Sequence, residues 1–543
     1  MSDSKPGVVS TIEAPPTTVL GILARLGPGM IIAASIVGSG ELIGATLTGA
    51  KSGYWLLWLI LLGCVIKVFV QIEFGRFTIA QGVSTMEGLN QLPGPRLPIP
   101  GSRAADGKPV KGSWILWYWV LMFAASIGQL GGIVGLVGQS LAMSIPLTRV
   151  GSLEDQYRHT EIELNVIQAR RQAAPPGQSE ALAARESQWT KKRDALELQL
   201  APYGPLRDEN GKRLLYSRDA VYWAFGITAV TTLMLVLGRY SLIQSAATWL
   251  VAGFTLISVL CVICLQQLPE YAMTWTDLVQ SLSFRLPPAP QYDSQMALSN
   301  ALATFGIIGV GATELISYPY WCLEHGYARY TGPFEASPAW IARARGWLKV
   351  MQWDVWCSML VYTFATAAFY ILGAATLGKF KFAPEGADVV RTLVVMYEPV
   401  FGAWAAPLLL IGGFAVLYST FFVASAGHAR VVSDAISVMG LGAADSTAAR
   451  KRVVFLSGLF PIVSLLIFLF IPSPVFLIML SGLMQALMLP MLAFAALYFR
   501  WRRCDPSVAP AKWWDLFLIL SSIGMLASGG SAAYVEIAKF LAK

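Results

Sequence analysis

Stretches of about 20 mostly apolar residues recur along this chain, parted by shorter polar segments, and each is long enough to cross a bilayer as a helix. They run over 27–50, 54–79, 113–145, 220–238, 245–268, 298–320, 351–377, 404–430, 452–471, 474–499 and 513–534. Eleven spans place the two termini on opposite sides of the membrane. The alternation lapses once. Residues 149–219 are polar, carry charges of both signs in near balance and are rich in helix formers. Within them Gly151–Ala174 and Gln178–Leu200 flank Pro175-Pro176-Gly177, which predicts two helices around a tight turn. A solvated loop is the alternative for this insertion. The organisation predicted is a tail (1–26), spans 1–3 (27–148), a helical hairpin (149–219), spans 4–11 (220–534) and a short C-terminal tail (535–543).

Composition supports the membrane class: 55% of the 543 residues are hydrophobic and 13% are charged, against about a quarter charged in soluble domains. The net charge of +8 is scattered, with no basic arm that would suit nucleic acid. Its distribution carries more than its size. With the N-terminus in the cytoplasm, most lysines and arginines of the connecting segments fall inside, and the outer short loops hold Lys51, Arg285, Lys379, Lys381 and Arg391. That bias predicts a multi-pass protein of the plasma (inner) membrane, N-terminus cytoplasmic and hairpin extracytoplasmic. Residues 1–26 lack the charged-then-apolar pattern of a cleaved leader. Cys261 and Cys264 have redox spacing, yet they lie in a continuous apolar run where cysteine packs as a small hydrophobe.

Candidate chemistry comes from a short stretch that occurs twice. Val37-Gly38-Ser39-Gly40-Glu41-Leu42-Ile43 lies inside the first span, and Val310-Gly311-Ala312-Thr313-Glu314-Leu315-Ile316 inside the sixth. These are equivalent positions in two five-helix halves, and an odd number of spans per half requires the halves to be inverted. Paired glycine-interrupted spans in such positions point to a midplane substrate site. A break frees carbonyls and amides that lipid cannot satisfy, so it must line protein or a polar cavity. A carboxylate there costs about 2.5–3.5 kcal/mol to insert and is tolerated facing a site or a partner. Each glutamate alone could merely cap a half-helix. The pair, with free carbonyls, suits a cation. Glu41, Glu314, Gly38, Ser39, Gly40, Gly311, Thr313 and Ser317 are the candidate binding residues.

The first two spans resemble the NRAMP family of proton-coupled divalent-metal transporters. Gly27-Pro28-Gly29, eight residues, then Gly38-Ser39-Gly40-Glu41 follow that family's opening without a gap, and Gly49-Ala50, Gly53-Tyr54, Leu56-Leu57-Trp58, Gln71, Arg76, Gly82 and Glu87 continue it. Weaker echoes occur at Ser419-Thr420, Gly427-His428, Ser481 and Leu489-Pro490. The resemblance implies an all-α membrane protein of the LeuT-type fold: 11 transmembrane helices, an inverted five-plus-five repeat and one further span. It implies a secondary transporter that moves a divalent metal cation by alternating access, with no resident cofactor.

The departures alter the chemistry. Gly38-Ser39-Gly40-Glu41 stands where the family has Asp-Pro-Gly-Asn, and the family's Met-Pro-His reads Leu315-Ile316-Ser317. The family's two proton-path acids in the third span appear as Ser126 and Gln129, and a glutamine of the tenth as Gly482. Loss of the thioether leaves oxygen ligands, which suit harder ions such as Mg²⁺, Ca²⁺ or Mn²⁺. Loss of the acids removes the family's proton route. Tyr318, His325 and His428 are further site-lining or coupling candidates. Lys67, Gln71, Glu73 and Arg76 read as structural, and Asp354 as interfacial. A carrier of an organic cation or amino acid with the same fold is the alternative, Tyr318, Tyr320 and Trp321 offering cation–π faces; a non-transporting receptor is another. No metalloprotease, nucleophile-elbow or phosphate-loop motif suggests an enzyme.

Overall fold

A computed structural model describes residues 12–102, 109–173, 176–204, 217–238, 241–289, 292–380, 389–443 and 445–541. Among these residues are eleven stretches long and apolar enough to cross a membrane, the first of them a pair of helices bent at a break. Span 1 is Pro28–Ile36 (half-helix 1a) and Gly40–Ser52 (1b), bent by 41°. Span 2 is Leu57–Gln81, span 3 Trp114–Ser144, span 4 Arg218–Leu237 and span 5 Ser241–Leu265. Span 6 is Ser294–Ile307 (6a) and Ala312–His325 (6b). Span 7 is Pro338–Leu377, span 8 Ala405–Val438, span 9 Ser446–Phe470, span 10 Pro474–Arg503 and span 11 Lys512–Leu541.

Most helices outrun their predicted ends. Span 7 starts at Pro338 rather than 351, behind the cap that Ser337 gives the Trp340 amide, and span 8 runs on to Val438 rather than 430. A hydropathy window stops where the apolar run stops, whereas backbone hydrogen bonding stops only at a cap or a breaker. A two-stranded antiparallel ribbon, Arg96–Pro98 with Lys111–Ser113, links spans 2 and 3 and went unpredicted. Three-residue strands carry no period for sequence to show.

Spans 1 and 6 run in opposite directions and lie side by side at their breaks. A side chain on Gly40 would meet the Ile307 carbonyl at 3.0 Å, and one on Gly306 would meet the Gly482 carbonyl of span 10 at 2.0 Å. At Gly306 only glycine permits that approach, and at Gly40 a side chain would be tight. Leu121, Phe225, Trp249, Leu256, Ile263 and Phe470 are exposed on the spans' outward faces, as a lipid-facing surface requires.

The insertion forms the helices Arg149–Ala173 and Pro176–Leu200; residues 174–175 of the expected turn lie outside the described residues. It is docked. Ile162 and Val166 of its first helix join the main core, while Leu196 and Leu200 of the second close on Tyr157. Asp155 is ion-paired to Arg391 in the helix Val389–Val394 between spans 7 and 8. Asp219, at the start of span 4, accepts from the Leu147 amide (2.6 Å) and the Thr148 hydroxyl (2.7 Å). Because Arg391 is only 9% exposed, Asp155→Ala leaves its charge short of a partner in poor dielectric. The expected cost is roughly 2–3 kcal/mol, read as faster proteolysis within 149–200 of the folded protein. Cleavage at the wild-type rate would show that the pair does not hold the hairpin.

Candidate functional site

The two glutamates sit in different surroundings. Glu41, in the first turn of 1b, is fully buried. Its carboxylate accepts from the Gly38 amide across its own break (3.3 Å) and from the Gly309 amide in the opposite break (3.0 Å). Gly309 has φ +58°, with Cys64 of span 2 at 3.0 Å from where a side chain would begin, so a larger residue there is both strained and crowded. Glu41 therefore ties break 1 to break 6.

Glu314, in the first turn of 6b, is half-buried and faces a cavity of about 10 Å³. Ile32 and Ser35 of 1a, Ser317 and Trp321 of 6b, and Gly427 and His428 of span 8 line the same cavity. That volume is on the scale of a single water molecule. Ser317 donates to the Glu314 carbonyl (3.3 Å), which leaves the carboxylate itself to the cavity and to Thr313. His428 stands against Phe123 and Phe460, its Nδ1 buried with no hydrogen-bond partner.

A chain of polar side chains connects the two breaks. Gln129 of span 3 donates to Ser39 Oγ (3.1 Å) and accepts from Gln485 Nε2 of span 10 (2.7 Å). The Thr313 hydroxyl lies within hydrogen-bond distance of both Gln485 Oε1 (3.0 Å) and Glu314 Oε2 (2.9 Å). Ser481 donates to the Ser126 carbonyl (2.8 Å), fixing span 10 on span 3. Span 8 holds the other side: Ser419 and Thr420 donate to the Ala34 and Ser35 carbonyls (2.7 and 2.8 Å), the orphans at the end of 1a. A side chain on Gly38 would strike Thr420 Oγ1 at 1.9 Å. Gly38→Ala is expected to cost about 1–3 kcal/mol by displacing that hydroxyl from its carbonyl, read as a lower unfolding midpoint. An unchanged midpoint would mean that the break accommodates a methyl group.

The structure thus brings Ser39, Gln129, Thr313 and Glu314 into one network and places Ser317 and His428 beside Glu314. Gly38, Gly40 and Gly311 form the breaks. Ser126 contributes its carbonyl. Tyr318 and His325 lie elsewhere: Tyr318 donates to Asp354 (3.2 Å), and the His325 ring covers Gly27. Three residues have larger parts than the sequence suggested. Gln485 lies three places beyond Gly482, one helical turn from the position where the family motif has its glutamine. Lys67 is fully buried and donates to the Phe305 and Ile308 carbonyls at the end of 6a. Asp354, expected at the interface, is fully buried in span 7 and accepts from the Gly27 and Gly29 amides at the start of 1a. Among the described residues no group of three or more His, Cys, Asp or Glu is arranged to hold a metal.

The two ends of the bundle differ. At the hairpin end a cavity of about 720 Å³ is lined by Lys51, Tyr54, Trp55, Asp277, Tyr292 and Asp293, among others. At the opposite end, the one that bears the N-terminal tail and is called the tail end below, Asp354 latches 1a, Glu324 of 6b pairs with Arg430 of span 8, and Tyr320 donates to Asp434 (2.6 Å).

The chain is similar to solved structures of a manganese transporter from Eremococcus coleocola. Two mutants of that protein superpose with TM-scores of 0.55 and 0.54, and its complex with an aromatic bis-isothiourea substituted compound with 0.50. Each is 14% identical, and the match covers 96% of this chain and 90% of that one. No family model and no curated protein sequence matches this chain. Likeness at such low identity establishes the fold: an all-α, LeuT-type membrane protein with an inverted five-plus-five repeat and one additional span.

Proposed function

We propose that this chain is a multi-pass secondary transporter that carries a cation by alternating access, with Glu314 as the carboxylate that meets the cargo. The observation that supports this most is the position of Glu314: a carboxylate facing an ion-sized cavity between 1a, 6b and span 8, beside the discontinuous helices that form the substrate site in transporters of this fold. Glu41 acts as the joint between the breaks, and Ser35, Ser317 and His428 supply neutral ligands. The state described is closed at the tail end, with an acid-bearing vestibule at the hairpin end through which a cation would arrive. The N-terminus is cytoplasmic in this reading, the membrane is the plasma (inner) membrane and the hairpin is extracytoplasmic.

The preferred cargo is a divalent metal cation. Its ligands at the cavity are oxygens and one imidazole, a set that serves Mn²⁺ as well as harder ions. The second reading is a small organic cation held by Glu314 beside the Trp321 ring, since both line the same cavity. Uptake of Mn²⁺, Mg²⁺ and Ca²⁺ into proteoliposomes tests the first. Metal flux that competes with no amine supports it. Absence of metal flux together with a thermal shift from amines would transfer the site to the organic cation.

A further inference from the structure

Lys67 is a buried cation at the sixth-span break, and neither the cavity nor the polar network accounts for it. Its side chain is fully buried in span 2. The ammonium donates to the Phe305 and Ile308 carbonyls and lies 5.0 Å from the centre of the Phe305 ring. These carbonyls are where 6a ends. The last carbonyls of a helix have no partner within it and carry its partial negative charge. In a broken span they are ligands in waiting for a hard cation, which takes carbonyl and carboxylate oxygens. Glu41 reaches the same corner, since it accepts from Gly309, the residue after Ile308.

We propose that Lys67 is a resident cation: its ammonium occupies the carbonyl ligands at the sixth-span break that an inorganic cation would otherwise take, leaving Glu314 as the carboxylate for the cargo. The inference rests on the transport reading only where it speaks of cargo. An ammonium offers three donors on a flexible stem, and here two meet carbonyls while the aromatic face receives the remaining charge. A tethered ion needs no recruitment from solution, so this break requires no sodium or potassium. It cannot leave either, so the joint between spans 2 and 6 persists through the cycle, and Glu314 remains the carboxylate whose charge is free to be matched by what is carried.

The test reads binding by stability and not by flux, so a failed transport assay leaves its outcome intact. The purified full chain, in a Glu314→Gln background that silences the cargo carboxylate, is melted in lithium, sodium, potassium and choline chloride at one ionic strength. With Lys67 present, the midpoint is expected to be the same in all four salts. With Lys67→Met added, the carbonyls are exposed, and one of the small cations is expected to raise the midpoint saturably while choline does not. If the methionine variant cannot be purified, Lys67→Gln, whose amide can serve only part of the ligand set, is expected to show the same cation preference with a smaller shift. A small-cation effect while Lys67 is present, or none in either substitution, would overturn the proposal.

Discussion

Replacing Glu314 with glutamine is expected to abolish uptake while leaving the fold in place. The substitution keeps size and shape, and the new amide oxygen can still accept from Thr313 Oγ1, which the native carboxylate holds at 2.9 Å. What disappears is the formal negative charge facing a cavity of about 10 Å³, whose other polar lining is Ser35, Ser317 and His428. A cation seated about 4 Å from a carboxylate gains on the order of 4 kcal/mol at the effective dielectric of such sites. Affinity is therefore expected to fall by roughly a hundred- to a thousand-fold. Glu41→Gln makes the contrast. A glutamine oxygen can serve either the Gly38 or the Gly309 amide well, and orphaning the other costs about 1–3 kcal/mol of stability. Its unfolding midpoint should drop while cargo affinity changes little. Proteoliposome uptake and a thermal melt on both variants separate the roles, and normal flux through Glu314→Gln would remove this residue from the site.

Much of the architecture was legible because lipid makes sequence explicit: a span must be apolar for about 20 residues, and a break must be announced by glycine. The repeated Gly-rich stretches with Glu41 and Glu314 marked both broken spans, and positive charges suggested the side of each loop. The partners of those residues were less legible. Gln129 drew notice only by standing where the family has an acid, and the one signal for Gln485, its partner, was the family's glutamine a helical turn away at Gly482. The link between them joins spans 3 and 10, more than 350 positions apart, and no periodicity encodes such a pair. The two carboxylates also looked alike in sequence. Their difference lies in what faces them, a backbone amide of the opposite break for Glu41 and open space for Glu314.

Asp354 shows the same limit with a larger consequence. A lone acid near the end of an apolar run reads as a residue seeking water, yet here it is the N-terminal cap of another helix. Its carboxylate receives the Gly27 and Gly29 amides and the Tyr318 hydroxyl (3.2 Å), so spans 1, 6 and 7 meet on one side chain. A carboxylate at a helix start satisfies orphan amides and the helix dipole together. Asp354→Ala leaves buried donors without acceptors at about 1–3 kcal/mol each, and a total loss of roughly 3–5 kcal/mol is expected. The loss falls on 1a in particular, because the Ser419 and Thr420 hydroxyls hold only its other end. Half-helix 1a carries Ile32 and Ser35 of the Glu314 cavity, so releasing it opens that cavity toward the tail end. Hydrogen exchange is the measurement: the amides of residues 29–36 should exchange faster in Asp354→Ala, while those of span 9, which makes no contact with Asp354 among the hydrogen bonds described, keep their protection. Asp354→Asn, which retains one oxygen acceptor, should fall between. Uniform loss of protection across both segments would mean that Asp354 supports the fold as a whole, and unchanged exchange in Pro28–Ile36 would mean that the latch bears no weight.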